Sequence, residues 1–280
     1  MVGPPSVNMT DGVFLFNEDT MAAKIGLFGF GKTGRVVARE IMADKDLHLS
    51  WVIRKSHTDE GNYASYFYGI KPKQGKIYSA SKVNFNTFYR DNPVDLIIDF
   101  SSSKAIEEYK AAAQIGIKIV SAISRYGQDG IAKLKKMAEK TAVLYSPNIT
   151  LGINFLIVAS QILQQIAPNV DIEIVEEHFR GKREVSGTAL RIAQLLGLCN
   201  KKHVNSIRVG GIVGKHEVIF GFPNQTIRIT HESINRAAFA KGAMYAAKWL
   251  VKKENGLYNM EQVMSSDFIR YSKTIHKKKG

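Results

Sequence analysis

The chain has 280 residues, 45% hydrophobic and 23% charged, with one cysteine and a formal charge of +14 from 39 Lys and Arg against 25 Asp and Glu. That length suits two ordinary domains with real cores, and the lone Cys199 excludes a disulfide framework within the chain and gives no sign of an oxidising compartment. The positive charge fits either a nucleic-acid partner or an enzyme for anionic small molecules. The basic residues are scattered apart from a KKKG tail, with no RNA-binding signature, zinc spacing or basic–aromatic ladder, so the enzyme reading stands with neither nucleic acid nor metal expected.

Residues 1–20, MVGPPSVNMTDGVFLFNEDT, lack the basic start of a secretion signal and carry acids at Asp11, Glu18 and Asp19, so they read as a loose extension ahead of the fold. KIGLF, residues 24–28, is a short apolar strand. GFGKTG follows it, and RVVAREIM then places Val36, Val37 and Ile41 on one helical face. This is the dinucleotide fingerprint in its required setting between a strand and a helix. Gly29 permits the tight turn, Gly31 lets the backbone approach a pyrophosphate and Gly34 allows close helix packing, with Phe30, Lys32 and Thr33 between them. The helix N-terminus favours the phosphate charge. A glycine turn before any helix would look the same over six residues, so the next strand matters. LHLSWVI, residues 47–53, ends in Arg54 and Lys55 where an NAD site would hold an acid. Two cations there suit a 2′-phosphate, which favours NADPH, with NADH still possible.

Strand and helix go on alternating. VDLIIDF (94–100) is a buried strand, SSSKAIEEYKAAAQIG (101–116) a serine-capped helix ending at Gly116, IKIVSAI (117–123) a strand, GQDGIAKLKKMAEKT (127–141) a helix and TAVLYS (141–146) a strand. A βα repeat of this kind builds a parallel sheet. Ligands bind at the carboxyl ends of its strands, which places Phe100, Ser101, Ala122, Ile123, Ser124, Pro147 and Asn148 along one crevice. Residues 141–170 carry no formal charge, but Pro147, Gly152 and several Asn, Thr and Gln interrupt them. A membrane span needs about twenty mostly apolar residues. The segment therefore reads as a strand, a loop and a buried helix, NFLIVASQILQQIA, in a soluble cytoplasmic protein with no membrane partner.

DIEIV then alternates like a strand and runs into EEHFRGKREVSGTA, residues 176–189, before the helical ALRIAQLL. Singly, His178 is a surface or capping residue, Lys182 a solvated cation and Ser186 an N-cap. Together they make a carboxylate pocket with an acid beside it. Gly187 allows close approach, Ser186 and Thr188 offer hydroxyls, the helix start offers free N–H groups, and Lys182 faces the same charge. Cations beside His178 would lower its pKa, and Glu176 and Glu177 would raise it.

This stretch resembles the signature of the dihydrodipicolinate reductase family, E-x-H-H-x-x-K-x-D-x-P-S-G-T-A. GFGKTGR, LIIDFSSS, SPNITLGIN, GGIVGKHEVIF, ITHESINRAAFAKGAMYAAKWL and GLYNMEQV follow the family's order from residue 21 to about 264. The resemblance implies an α/β fold: a Rossmann-type parallel-sheet nucleotide-binding domain (residues 21–148 and 236–280) and an α+β C-terminal domain with an open mixed sheet (residues 149–235) that builds a homotetramer. It implies NAD(P)H-dependent reduction of 4-hydroxy-tetrahydrodipicolinate, a dicarboxylate, to tetrahydrodipicolinate on the route to diaminopimelate and lysine. His178 takes the role of proton donor or acceptor, Lys182 that of second acid and carboxylate ligand, and Gly187 and Thr188 bind a carboxylate. Arg236, where the chain returns to the first domain, joins the cofactor-binding residues.

The departures are specific. Phe179 replaces the family's second histidine, a substrate ligand. Val185 directly precedes Ser186, so the proline is missing and the loop is one residue shorter, with Glu184 near the family's aspartate. Ala122, Ile123 and Ser124 replace Gly-Thr-Thr, Thr33 replaces a methionine, and Arg54 replaces the ribose-binding acid. Two alternatives follow: a related reductase of another imine or keto acid, and a non-enzymatic nucleotide-binding regulator.

Overall fold

The structure, a computed structural model, describes residues 22–277, so the extension expected over residues 1–20 lies outside the described residues. The first half alternates β1 (Ala23–Phe28), α1 (Lys32–Met42), β2 (Leu47–Arg54), β3 (Lys76–Ser79), α2 (Phe85–Asp91), β4 (Leu96–Asp99), α3 (Lys110–Gln114), β5 (Lys118–Ser121), α4 (Gln128–Ala138) and β6 (Ala142–Tyr145). The second half holds α5 (Leu151–Ile166), β7 (Asp171–His178), α6 (Gly187–Leu195), α7 (Asn200–His203), β8 (Val204–Arg208), β9 (Lys215–Phe222) and β10 (Gln225–Glu232). α8 (Ala237–Leu250), β11 (Gly256–Tyr258) and α9 (Met260–Lys277) follow.

Seven strands form one sheet in the order β11-β6-β5-β4-β1-β2-β3, and every pairing is parallel. Parallel strands are covered on both faces, so their sequences are continuous apolar runs. Ile25 and Leu27 of β1 pack on one side with Val37 and Ile41 of α1 and with Ala243 and Ala247 of α8. On the other side Phe28, Trp51, Ile97, Tyr109 and Leu134 form a second cluster. Fully burying such side chains stabilises by about 1.5–3 kcal/mol each, before the entropy of ordering them is subtracted. From β1 the order runs one way through β2 and β3 and the other way through β4, so the switch point lies between β1 and β4.

The second sheet has the order β10-β9-β7-β8 and is mixed: β9 is antiparallel to both β7 and β10, and β8 is parallel to β7. In β7 alternate residues are buried. Its Ile172 and Ile174 join Val218 and Phe220 of β9 beneath Ile153 and Ile157 of α5 and Ile192 of α6. After Arg236 the chain leaves this sheet. α8 packs on α1, β11 pairs with β6, and α9 packs along α5, where Phe155 and Phe268 stack 5.5 Å apart.

The single helix expected over residues 101–116 is broken. A 3₁₀ turn spans Ser103–Glu107, α3 starts only at Lys110, and Ser102 makes no capping bond. Ile106 in the 3₁₀ turn and Tyr109 just before α3 are both buried, and the break lets both face the core. Ser101, the first of the three serines, spends its hydroxyl on Asp99 instead.

α8 approaches the β6–α5 connection through Gly242, where any Cβ would run into the Ile149 carbonyl. Gly242→Ala is therefore expected to cost about 1–3 kcal/mol by overpacking. It should lower the thermal midpoint by several degrees, whereas Gly211→Ala, in open space, should leave it in place. Parallel thermal melts check this.

Candidate active site

The glycine turn lies at the switch point. Gly29 has φ +94° and sits against the Phe100 carbonyl and the Ser101 amide. A Cβ on Gly34 would strike the Gly29 carbonyl, so the first turn of α1 can close on the loop only with glycine there. Gly31 faces open space, and as N-cap of α1 it makes no side-chain bond; the first turn holds no acid. These free N–H groups and the open approach fit a dinucleotide pyrophosphate. Lys32 is exposed and Thr33 half-buried beside it. Phe30 is buried against Phe67, with the Arg35 guanidinium over both rings at 5.2 and 4.8 Å.

At the end of β2 the two expected cations differ. Lys55 is exposed, but Arg54 is not the free cation its position suggested: its Nη1 lies 2.5 Å from Asp59 Oδ2. Arg35 reaches the same oxygen at 3.7 Å. Further along the edge, Ser101 donates through its amide (2.8 Å) and hydroxyl (2.6 Å) to Asp99 Oδ1. Ala122 and Ser124 follow β5, and Pro147 and Asn148 follow β6. Ile123 and Phe30 are buried, so both offer a ligand main chain only.

Across from this edge ends β7. Its alternation puts Glu176 and His178 on the helix-covered face and Glu177 on the other, where it pairs with Lys215 at 2.7 Å. Glu177 therefore does not act on His178 as the sequence suggested. Glu176 is fully buried and fully bonded. Arg208 grips it bidentately (2.9 and 2.5 Å), Ser206 donates at 2.6 Å and the Ser186 amide at 3.2 Å. Burial raises its pKa, but Arg208, Ser206, His178 and the Ser186 amide outweigh that and hold it down at about 2. An ionised carboxylate only accepts, so the 2.5 Å contact to His178 Nδ1 fixes the proton on Nδ1 and leaves Nε2 free. Burial lowers the His178 pKa; Glu176 opposes this and Lys182 and Arg208 add to it.

Ser186 occupies the N-cap position of α6 but makes no capping bond. Its buried hydroxyl shares a 2.9 Å hydrogen bond with His216 Nε2, which corrects the N-cap reading and leaves the first turn of α6 open. Gly187 faces open space there. His216 stands edge-on to His178 at 5.3 Å, and burial, with His178 adding, drops its pKa to about 3, so it carries no charge beside the first imidazole. Thr188 donates to Asn148 Oδ1 at 2.7 Å and so ties α6 to the edge of the first sheet. His178, Thr188, Asn148, Thr150 and His231 line a cavity of about 100 Å³, into which the buried Thr150 hydroxyl and His231 Nδ1 bring no partner among the described residues. A larger cavity of about 620 Å³ beside Pro168 and Phe222 lies at the opposite end of β7 and has neither histidine nor lysine in its lining.

Lys182 sits half-buried in the loop after β7, its carbonyl held by Arg208 Nε at 3.0 Å. Phe179 is 46% exposed, on the surface of the same loop. Arg125, just past Ser124, pairs with Glu184 at 2.9 Å and so joins the two loops across the crevice. Arg236 is exposed at the N-terminus of α8. The sequence reading missed Arg208, Ser206, His216, Asp59 and Arg35 as parts of these clusters. His216 lay in plain view within GGIVGKHEVIF and Arg35 within GFGKTGR; Arg208 and Ser206 become partners only when β8 pairs with β7, and Asp59 only when its loop turns back on β2.

Comparison with known proteins agrees over most of the chain. Residues 23–149 match the family model for the dihydrodipicolinate reductase N-terminus and residues 149–264 that for its C-terminus. The 4-hydroxy-tetrahydrodipicolinate reductase of Buchnera aphidicola subsp. Cinara cedri is 30% identical over 262 residues, covering 84% of this chain and 93% of that protein. That of Buchnera aphidicola subsp. Acyrthosiphon pisum (strain Tuc7) is 31% identical over 275 residues, covering 89% and 99%. The dipicolinate-bound dihydrodipicolinate reductase from Paenisporosarcina sp. TG-14 shares the fold, with a TM-score of 0.71 at 19% identity over 87% of this chain and all of that one. With a Rossmann crevice on one side, a mixed sheet carrying His178 on the other and both family models matched end to end, the chain belongs to the dihydrodipicolinate reductase family.

Proposed function

We propose that the chain reduces 4-hydroxy-tetrahydrodipicolinate to tetrahydrodipicolinate, in the cytoplasm, as a step toward diaminopimelate and lysine. One observation carries this reading: His178, anchored from behind by Glu176 and within the field of Lys182, lines a cavity with Thr188 of the first turn of α6 and Asn148 from the Rossmann edge. In this reading residues 21–148 and 236–280 form the dinucleotide unit and residues 149–235 the substrate unit.

The cofactor, a nicotinamide dinucleotide, supplies the hydride when it is bound. Gly29, Gly31, Gly34 and the first turn of α1 hold its pyrophosphate, and Arg54, Arg35 and Lys55 surround its adenosine ribose, which favours NADPH while admitting NADH. Lys182 and the N–H groups of Gly187 and Thr188 hold one substrate carboxylate. His178 moves the proton through Nε2, because Nδ1 is committed to Glu176. Glu176 touches no substrate in this scheme; it positions His178 and fixes its tautomer.

A second reading keeps the same machinery for a different cyclic imine or keto acid. Phe179 favours it, since a half-exposed ring stands where the family has a substrate-binding imidazole. Purified protein tested with freshly generated 4-hydroxy-tetrahydrodipicolinate separates the two: rapid NADPH or NADH oxidation supports the first, and dinucleotide binding without turnover supports the second.

The outer face of the second sheet carries Val175, Ile207 and Ile219 among the ion pairs Glu177–Lys215 and Glu217–Arg228, opposite the face that α5 and α6 cover. This supports a homotetramer built through that sheet. Light scattering on the eluting protein should give the mass of four 31.2-kDa chains.

Lys182→Ala is expected to lower kcat/KM by about 10²–10⁴-fold, the usual worth of a positioned acid, while leaving the dissociation constants of both dinucleotides in place. Glu176→Gln takes the counter-ion from the partly buried Arg208, which keeps its bonds to the Lys182, Ile207 and Glu184 carbonyls, and should cost about 1–3 kcal/mol in chemical denaturation. Glu176→Gln/Arg208→Met should recover much of that stability but not the turnover, since His178 still lacks its anchor. The sign of the pH effect follows from a depressed pKa. Glu176 contributes its stability above about pH 4.5 and loses it as pH falls toward 2, so the wild-type midpoint drops through that window while the Gln variant stays flatter.

A further inference from the structure

The end of β2 is where a dinucleotide site carries an acid for the ribose hydroxyls of an NAD-type cofactor, or an arginine for a 2′-phosphate. Residue 54 is the arginine. The fold then brings an acid back to it from the loop that follows. Asp59 Oδ2 lies 2.5 Å from Arg54 Nη1 and 3.7 Å from Arg35 Nη2. Arg35 belongs to the first turn of α1 and is clamped between the rings of Phe30 and Phe67, with its carbonyl accepting from the Tyr68 hydroxyl at 2.7 Å. One carboxylate thus joins the glycine-turn helix to the β2 end, the two elements that flank the adenosine half of a dinucleotide.

The backbone supports that placement. Asp59 is the one non-glycine residue with positive φ (+64°) among the described residues, a conformation that L-residues other than Asn and Asp rarely adopt. The loop around it is pinned: the Gly61 amide donates to the Ile77 carbonyl at 2.9 Å and the Asn62 amide to the Asp59 carbonyl at 3.1 Å. The side chain keeps 21% of its surface exposed, so it is held yet reachable.

We propose that Asp59 is the ribose ligand of this site and the residue that sets its balance between NADH and NADPH. The inference rests on the nicotinamide reading above. A ribose 2′-hydroxyl donates to Asp59 while the carboxylate stays on its arginines. A 2′-phosphate brings its own negative charge, competes for Arg35 and Arg54 and is repelled by Asp59. The site therefore accepts both cofactors, and Asp59 holds down the preference for the phosphorylated one that the arginines alone would give.

Asp59→Asn tests this, because Asn keeps the shape and tolerates the left-handed backbone. Dissociation constants of NADH and NADPH are measured by their fluorescence on the full chain without substrate, for wild type and variant. The expected result is a rise of about tenfold in the preference for NADPH, with NADH binding weaker and NADPH binding equal or tighter. An unchanged ratio, whether both affinities fall together or neither moves, would overturn the proposal and leave Asp59 as an anchor of its loop; so would a shift toward NADH. The ratio is insensitive to a general loss of folded protein. A wild type that bound neither dinucleotide would overturn the nicotinamide reading and this inference with it. A wild type that binds both leaves the ratio in the variant to decide the role of Asp59 alone.

Discussion

Glu176 is a charge in a place with no water, and the substrate half of the molecule is arranged around keeping it there. A carboxylate of this kind persists only when its lone pairs are filled and its charge is met. Arg208 comes from β8, the Ser186 amide from the start of α6, Ser206 from β8 again and His178 from two residues along β7. Satisfying one side chain thus fixes the register of β7 against β8, the start of α6 and the tautomer of the imidazole. The loop that bears Lys182 is drawn in by the same arginine, which also holds the Lys182 and Glu184 carbonyls. The His178 ring and the Lys182 loop thus share one buried anchor.

The first half meets a steric demand in place of an electrostatic one. The dinucleotide turn needs the start of α1 to lie against Gly29, and Gly29 to lie against the end of β4. Gly29 and Gly34 allow that approach, and β4 then delivers Phe100 and Ser101 beside the glycine turn. Asn148 links the two halves. Its carbonyl accepts from Ser146 and Asn154, and its side chain accepts from Thr188. The edge of the parallel sheet and the N-terminus of α6 are thereby held at a hydrogen bond's distance.

Much of this was legible in the chain because it is local. Apolar runs and glycine spacing give β1, α1 and the parallel order, and alternation gives β7 with its histidine. The failures share one cause: partners assigned by sequence distance. Ser186 looked like a helix cap, yet His216, thirty residues on, takes its hydroxyl. Glu177 looked like a neighbour of His178, yet the pleat sends it to Lys215 on the other face. Arg54 looked free, yet a left-handed residue five positions later folds back onto it. The serine run at 101–103 looked like the start of a helix, but a buried acid at the end of β4 claims its first member. The first two pairings are made by distant strands coming together; the last two are near in sequence but depend on how the chain turns at the ends of β2 and β4, and local propensity reads neither.

Asp99 and Glu176 show how the fold sets charge at the two sides of the crevice. Both are fully buried, and both lie at or near the carboxyl end of a strand. Burial pushes each toward the neutral acid by the same physics. Glu176 has a guanidinium on both oxygens and is held at about 2. Asp99 has the amide and hydroxyl of Ser101 on one oxygen and the Tyr109 hydroxyl also opposing its rise, and burial still carries it up to about 7. Part of the difference lies in the partner: Glu176 meets a guanidinium, whereas the donors to Asp99 are neutral. On the substrate side the fold keeps a fixed anion that orients His178. At the switch point burial draws Asp99 part of the way toward the neutral acid, against the hydrogen bonds that favour its charge.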